Sequence, residues 1–192
     1  MDQGMSSSGS GVLILSHCGF SFLEDLMAEL RLRQLRFFVL SSLPLPEHVP
    51  FRSEQIQAWA DWLYTTDSHQ LKLEDISRAL QALCELGEQV ACCISVWEGY
   101  RHLMASANAS LGIYDIDTQQ ALAIRNKLKV RNQLAECGLS RAYAYALTAD
   151  LLQSLKTHKH RYFIKPIYGI ASYAAFSMRE DTTWNALKEL RQ

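Results

Sequence analysis

Val12-Leu13-Ile14-Leu15 and Arg36-Phe37-Phe38-Val39-Leu40-Ser41-Ser42 are two short runs dominated by apolar residues. Both have the length and composition of buried strands. Between them Phe22, Leu23, Leu26, Met27 and Leu30 recur at helical spacing, and Ser21 with Glu24 forms a capping-box pattern at the start. A strand, a helix and a strand joined by a crossover of this length predict a parallel pair. The pattern extends outward. Pro44 to Pro50 carries three prolines and reads as a loop. Ser53 to Tyr64 predicts a tryptophan-bearing helix. Leu73, Ile76, Leu80 and Leu83, with Gly87 as a stop, predict another. Gln89 to Val96 predicts a third strand and Trp97 to Asn108 a further helix. Strand and helix alternate over the first hundred residues, so the expected class is α/β with an open, mainly parallel, Rossmann-like sheet.

Beyond that sheet the periodicity breaks at Leu111-Gly112-Ile113-Tyr114-Asp115, which sets an expected boundary between residues 12–112 and 113–192, with residues 1–11 as a flexible tail. Asp117 and Gln120 predict the start of one long helix, ended by Gly138 after Cys137. Ala142–Leu147, Tyr162–Lys165 and Ala174–Met178 read as strands. Thr148 or Asp150 caps a short helix between the first two, and Thr182 starts a last helix. This order predicts a second, incomplete α+β unit. Its unpaired strand edge predicts self-association or fast hydrogen exchange over residues 142–192.

Composition narrows the function. The 192 residues are 48% hydrophobic and 20% charged, with a formal net charge of −1. No global basic field points to nucleic acid. No apolar run is long enough to span a bilayer, so no membrane partner is expected. The five cysteines, Cys18, Cys84, Cys92, Cys93 and Cys137, are odd in number and lack a Cys-x-x-Cys pair. That argues against a disulfide framework or a zinc site and for reduced thiols in the cytoplasm.

Two lysines stand out. In Phe163-Ile164-Lys165-Pro166-Ile167-Tyr168-Gly169-Ile170-Ala171-Ser172-Tyr173-Ala174-Ala175, a cation leaves an apolar strand and enters a loop of small residues. A lysine buried among apolar groups is costly unless it meets an anion. Gly169, Ala171 and Ser172 let backbone N–H groups approach phosphate. The alternative is a lysine that snorkels out at a strand end. The second lysine is Lys127. If the predicted helix is continuous, Ala121, Ile124, Leu128 and Ala135 form its apolar stripe. Lys127 and Arg131 then lie beside that stripe, while Arg125, Lys129, Asn132 and Glu136 face solvent. A boundary lysine with its stem on the core fits this geometry as well.

Together these segments resemble the ATP-grasp superfamily, and within it the carboxylate–amine (amino-acid) ligases. The resemblance rests on Arg125-Asn126-Lys127 with Arg131, on Leu134-Ala135-Glu136-Cys137-Gly138-Leu139, and on Phe163-Ile164-Lys165-Pro166 with the loop after it. The stretch from Glu98 to Asn108, followed by Leu111-Gly112, is also similar to the helix preceding that lysine in such ligases. It covers residues 95–180 best, with 38 residues between the two lysines (165 − 127). Ala171, Ala174 and Ala175 stand where the family carries more glycine, and alanine takes positive φ only at a cost.

The resemblance implies a pre-ATP-grasp domain followed by the first part of the ATP-grasp lid subdomain. It implies a two-step reaction. A small carboxylate, such as an amino acid, attacks the γ-phosphate of ATP, and an amine then displaces phosphate from the acylphosphate. Lys127 and Lys165 would neutralise phosphate charge, and Gly169, Ala171, Ser172 and Tyr173 would line the nucleotide. Mg2+ is implied as cofactor, but the family's adenine hinge and magnesium ligands come later than Gln192. The expected partners are the carboxylate, the amine, and a second copy or another subunit. The rival expectation is a truncated, non-catalytic relative that binds nucleotide weakly or serves as a partner subunit. A third is a plain α/β ligand-binding module with a structural Lys165.

His17, Cys18 and Gly19 follow the first strand. Adjacent His and Cys are poorly placed to act on each other, so a Cys–His nucleophile is set aside. The loop after the first strand of such a sheet lines a ligand cleft in many proteins, which makes these three the candidate substrate contacts. His158 and His160 read as solvated loop residues, and Trp59, Trp62, Trp97 and Trp184 as core or interface.

Overall fold

The computed structural model describes residues 9–17, 22–44, 49–158, 160–169 and 173–190. The chain forms two compact units, Met1–Ala121 and Leu122–Gln192.

The first unit is built on a four-stranded, wholly parallel sheet in the order β3-β2-β1-β4. Its elements are β1 (Gly11–Ser16), α1 (Phe22–Leu32), β2 (Phe37–Ser41), α2 (Val49–Trp59), β3 (Trp62–Thr65), α3 (Leu73–Glu85), β4 (Val90–Ser95) and α4 (Arg101–Ser110), with a single 3₁₀ turn at Glu98–Tyr100. The α/β class and the parallel pairing of the first two strands are as the sequence predicts. Two layers of side chains explain the strand composition. Leu13, Leu15, Phe38, Leu40, Leu83, Cys93 and Leu103 fill one face. Ile14, Leu23, Met27, Phe37, Val39 and Ile56 fill the other. All five residues of β2 are buried, hence its continuous apolar run. At full burial each such aliphatic or aromatic side chain contributes about 1.5–3 kcal/mol. Gly11 opens β1 because a Cβ there would lie 2.5 Å from the Phe38 ring.

The sequence reading differs from this unit most around α2, which also begins at Val49, within the predicted Pro44–Pro50 loop. Ser53–Tyr64 was expected to be helical throughout. Instead α2 ends at Trp59, and Trp62–Thr65 is the edge strand β3, in register with Phe38–Ser41. The Asp61 carboxylate accepts the Phe37 backbone N–H at 2.9 Å, which fixes the turn into that strand. The glycine stop is found as expected: Gly87 lies just past α3 at φ +75°. Ser21, half of the predicted capping box, lies outside the described residues.

The outer edge of β4 is closed by a side chain. Asn108 on α4 accepts the Cys93 N–H at 2.7 Å and donates to the Cys93 carbonyl at 3.0 Å. Its amide also donates to Asp115 at 2.8 Å. Asp115 is gripped in turn by the Arg101 guanidinium through two bonds and accepts the Ile116 N–H at 2.7 Å. The arginine holds the Asp115 carboxyl down at about 2, with further help from Asn108 and Ile116 against the opposing effect of burial.

The second unit holds α6 (Lys127–Glu136), α7 (Ala149–Lys156), β5 (Phe163–Ile164), β6 (Phe176–Ser177) and α8 (Trp184–Glu189), with β5 and β6 antiparallel. The predicted long helix is broken. The helix α5 (Thr118–Ile124) stops, and Asn126 leaves helical geometry at φ −80°, ψ 93° to cap α6 by accepting the Lys129 N–H. The break resets the helical phase, so the predicted stripe does not form, and Ile124 is 62% exposed. Ala142–Leu147 is not a strand. Its backbone is met by a side chain, with Asn132 accepting the Ala144 N–H at 2.8 Å and donating to the Ala144 carbonyl at 3.0 Å. Thr148 caps α7 as predicted, and Gly138 ends α6 at φ +73°.

Candidate functional site

In the second unit, Lys127 is the first residue of α6. Its ammonium donates to the Gly169 carbonyl at 2.6 Å, and its backbone N–H donates to the Ile167 carbonyl at 3.0 Å. The preceding Asn126 side-chain amide donates to the Tyr168 hydroxyl at 2.9 Å. Two successive residues at a helix N-terminus therefore hold three successive residues of the loop after β5. The break before α6 makes this possible, because it turns Asn126 and Lys127 outward from a helix end. Periodicity could not reveal it. The Asn-Lys pair at a helix start was the available signal.

Lys165 lies between β5 and this loop and is exposed. The premise that it leaves a buried strand does not hold: β5 is two residues long and Phe163 is 64% exposed. Tyr173 is also exposed. Ala171 and Ser172 lie outside the described residues. Ala174, at the far end of the loop, adopts φ +53°, the left-handed conformation that alanine takes at a cost. Among the described residues no cluster of three or more His, Cys, Asp or Glu is placed to hold a metal ion.

In the first unit, the strand order reverses between β1 and β4, and the crevice beyond the carboxyl ends of such strands is where open α/β sheets bind ligands. His17 follows β1 there and Trp97 follows β4. Their rings stack with centroids 4.4 Å apart. His17 Nδ1 lies 2.9 Å from the Tyr100 hydroxyl, which also accepts the Leu71 N–H at 3.1 Å. Burial lowers the His17 pKa, and the nearby His69 lowers it further. Trp97, read from sequence as a core or interface residue, and Tyr100, read as part of a helix, thus join the candidate site. Cys18 and Gly19 lie outside the described residues.

No protein-family model matches the sequence, and no curated protein does so significantly. Among solved structures the chain is similar to the L-amino acid ligase from Bacillus licheniformis, with a TM-score of 0.65 and 14% identity over 95% of this chain. The chain spans 42% of that ligase's length. The likeness is one of fold. Among the described residues no helix is long and apolar enough to cross a membrane.

Proposed function

We propose that this chain is part of an ATP-dependent carboxylate–amine ligase of the ATP-grasp type. Lys127 and Lys165 would meet the phosphates of ATP, and the loop from Gly169 would cover them. The observation that carries the reading is the 2.6 Å bond from Lys127 to Gly169, which seats the first lysine against the loop that follows the second. The fold likeness to an L-amino acid ligase supports the same class.

The chemistry would run in two steps. A carboxylate oxygen attacks the γ-phosphorus, and the bond to the ADP oxygen breaks. The amine then attacks the acyl carbon, and inorganic phosphate leaves with the acyl–oxygen bond pair. The contribution of the two ammonium groups is to offset negative charge that repels the incoming carboxylate. Loop backbone over the phosphates would keep water from the acylphosphate. An amino acid as carboxylate fits the ligase likeness.

Calorimetric titration with ATP and magnesium chloride tests the reading. Wild type should bind, and Lys127→Ala and Lys165→Ala should each weaken binding about tenfold or more, the scale of one lost charge-assisted hydrogen bond. Equal affinity in all three proteins, or none in wild type, would remove the nucleotide from this site.

A further inference from the structure

The formal net charge of −1 hides an uneven split. Residues 122–192 hold 12 lysines and arginines against 5 aspartates and glutamates, while residues 1–121 hold 7 against 15. The two units also treat their cations differently. In the first, Arg31, Arg33, Arg36, Arg78 and Arg101 each pair with a carboxylate. In the second, Arg161, Lys165 and Arg179 are exposed, and among the described residues no carboxylate forms an ion pair with any of them.

These three cations share one face of the β5–β6 ribbon. Phe163 stands opposite Ser177, and Ile164 opposite Phe176. The Met178 N–H donates to the Tyr162 carbonyl at 2.8 Å, which carries the register one rung further. The next rung sets Arg161 across from Arg179. It is a rung of the non-hydrogen-bonded kind, where opposed side chains come closest. Side chains alternate between the faces of a ribbon. Tyr162, Ile164, Phe176 and Met178 are half-buried on one face, and Phe163 and Ser177 are exposed with the three cations on the other.

Like charges directly opposed on a ribbon cost stability, and an anion between them reverses the sign. Phe163, 64% exposed, lies between Arg161 and Lys165, with about 7 Å between successive side chains on that face. The order along the strand is cation, aromatic ring, cation. Inorganic phosphate would use the cations and leave the ring in water. An acidic polypeptide brings carboxylates but no flat face that every residue can lay on the ring. A mononucleotide carries its phosphates on one side of its base, whereas the cations here flank the ring on both sides. A single strand of nucleic acid brings phosphates on both sides of each base, and bases free to stack. The positive surplus of the whole unit adds a sequence-independent attraction for such a strand.

We propose that the exposed face of β5–β6 binds single-stranded nucleic acid, with phosphates on Arg161, Arg179 and Lys165 and a base stacked on Phe163. Lys165 is shared with the ATP reading. Arg161, Phe163 and Arg179 belong to this site alone, and the test is built on them.

The full chain is titrated into a short fluorescein-labelled oligouridylate, and into its deoxy counterpart, over a range of salt concentrations with anisotropy as the signal. Wild type should bind both. Arg161→Ala combined with Arg179→Ala should weaken binding about a hundredfold and leave the ATP titration unchanged. The same pair should flatten the plot of log affinity against log salt by about 1.4, the share of two phosphate contacts on a single strand. Phe163→Ala should weaken binding about tenfold at an unchanged slope. Should a variant fail to fold, the wild-type amide signals of Arg161, Phe163, Ser177 and Arg179 decide, and the oligonucleotide should move them. The proposal is overturned if wild type binds neither oligonucleotide at low salt, or if the double variant keeps both affinity and slope. It is equally overturned if polyglutamate displaces the oligonucleotide at equal charge concentration, which would assign the face to acidic polypeptides. Lysine-dependent ATP binding without oligonucleotide binding would leave the nucleotide reading standing and remove this one.

Discussion

Lys127 and Gly169 are 42 residues apart in the chain and are joined by a 2.6 Å hydrogen bond from ammonium to carbonyl. The bond ties the start of α6 to the loop after β5. Removing it should loosen that loop before any ligand is added. In Lys127→Ala the amide proton of residue 127, which donates to the Ile167 carbonyl, should exchange about tenfold faster, the loss expected for one hydrogen bond to a charged group. Unchanged exchange would mean that the backbone bond to Ile167 is enough to hold the loop.

Ala174 sits at φ +53°. A glycine has no Cβ to strain there, so Ala174→Gly should raise stability by about 1 kcal/mol, measured by urea unfolding. A loss of stability would show that the left-handed turn is not populated in solution.

The Asp115 carboxyl is held at about 2 by the Arg101 guanidinium. A carboxyl depressed on folding stabilises the fold above its unfolded value, near 4. That contribution is lost as the pH falls from about 4 to about 2. Wild type should therefore lose stability over this window more steeply than Asp115→Asn, with unfolding free energies measured at several pH values. Parallel curves would detach the carboxylate from the acid response.

His17 runs the other way in charge but not in sign. Burial and His69 both disfavour its protonated form in the folded chain. Its NMR titration midpoint should lie below 6.5, and its contribution to stability should fall as the pH drops below that value. A midpoint above 6.5 would point to an anionic neighbour at the ring.

Asn108→Ala should be the costliest of these substitutions. It strips the Cys93 N–H and carbonyl of their partner and removes one donor from Asp115. About 3 kcal/mol is expected, or roughly 10 °C in melting temperature for a chain of this size. A change under 2 °C would mean that water replaces the amide without penalty.

How far the sequence could be read depended on which groups satisfy the backbone. β1, β2 and α3 were legible because apolar periodicity and a glycine stop mark them directly. The strand β3 was missed because Trp62-Leu63-Tyr64-Thr65 follows α2 after only Ala60 and Asp61, and four residues cannot show a period of two against a period of 3.6. The stretch Ala142–Leu147 looked like a strand and joins no sheet; the Asn132 side chain, not a strand, meets the backbone of Ala144. In the candidate site, Lys127 and Gly169 were singled out separately. Their contact depends on Asn126 ending one helix and starting the next, a choice that residue spacing does not encode.

The carboxamide of Asn108 counterfeits a fifth strand. It fills the amide and carbonyl of the middle rung on the outer rim of β4, the two groups a visiting polypeptide would need first. Polymerisation by ribbon extension is thereby blocked on that flank, and any growth of the sheet is left to the opposite rim, along Trp62–Thr65.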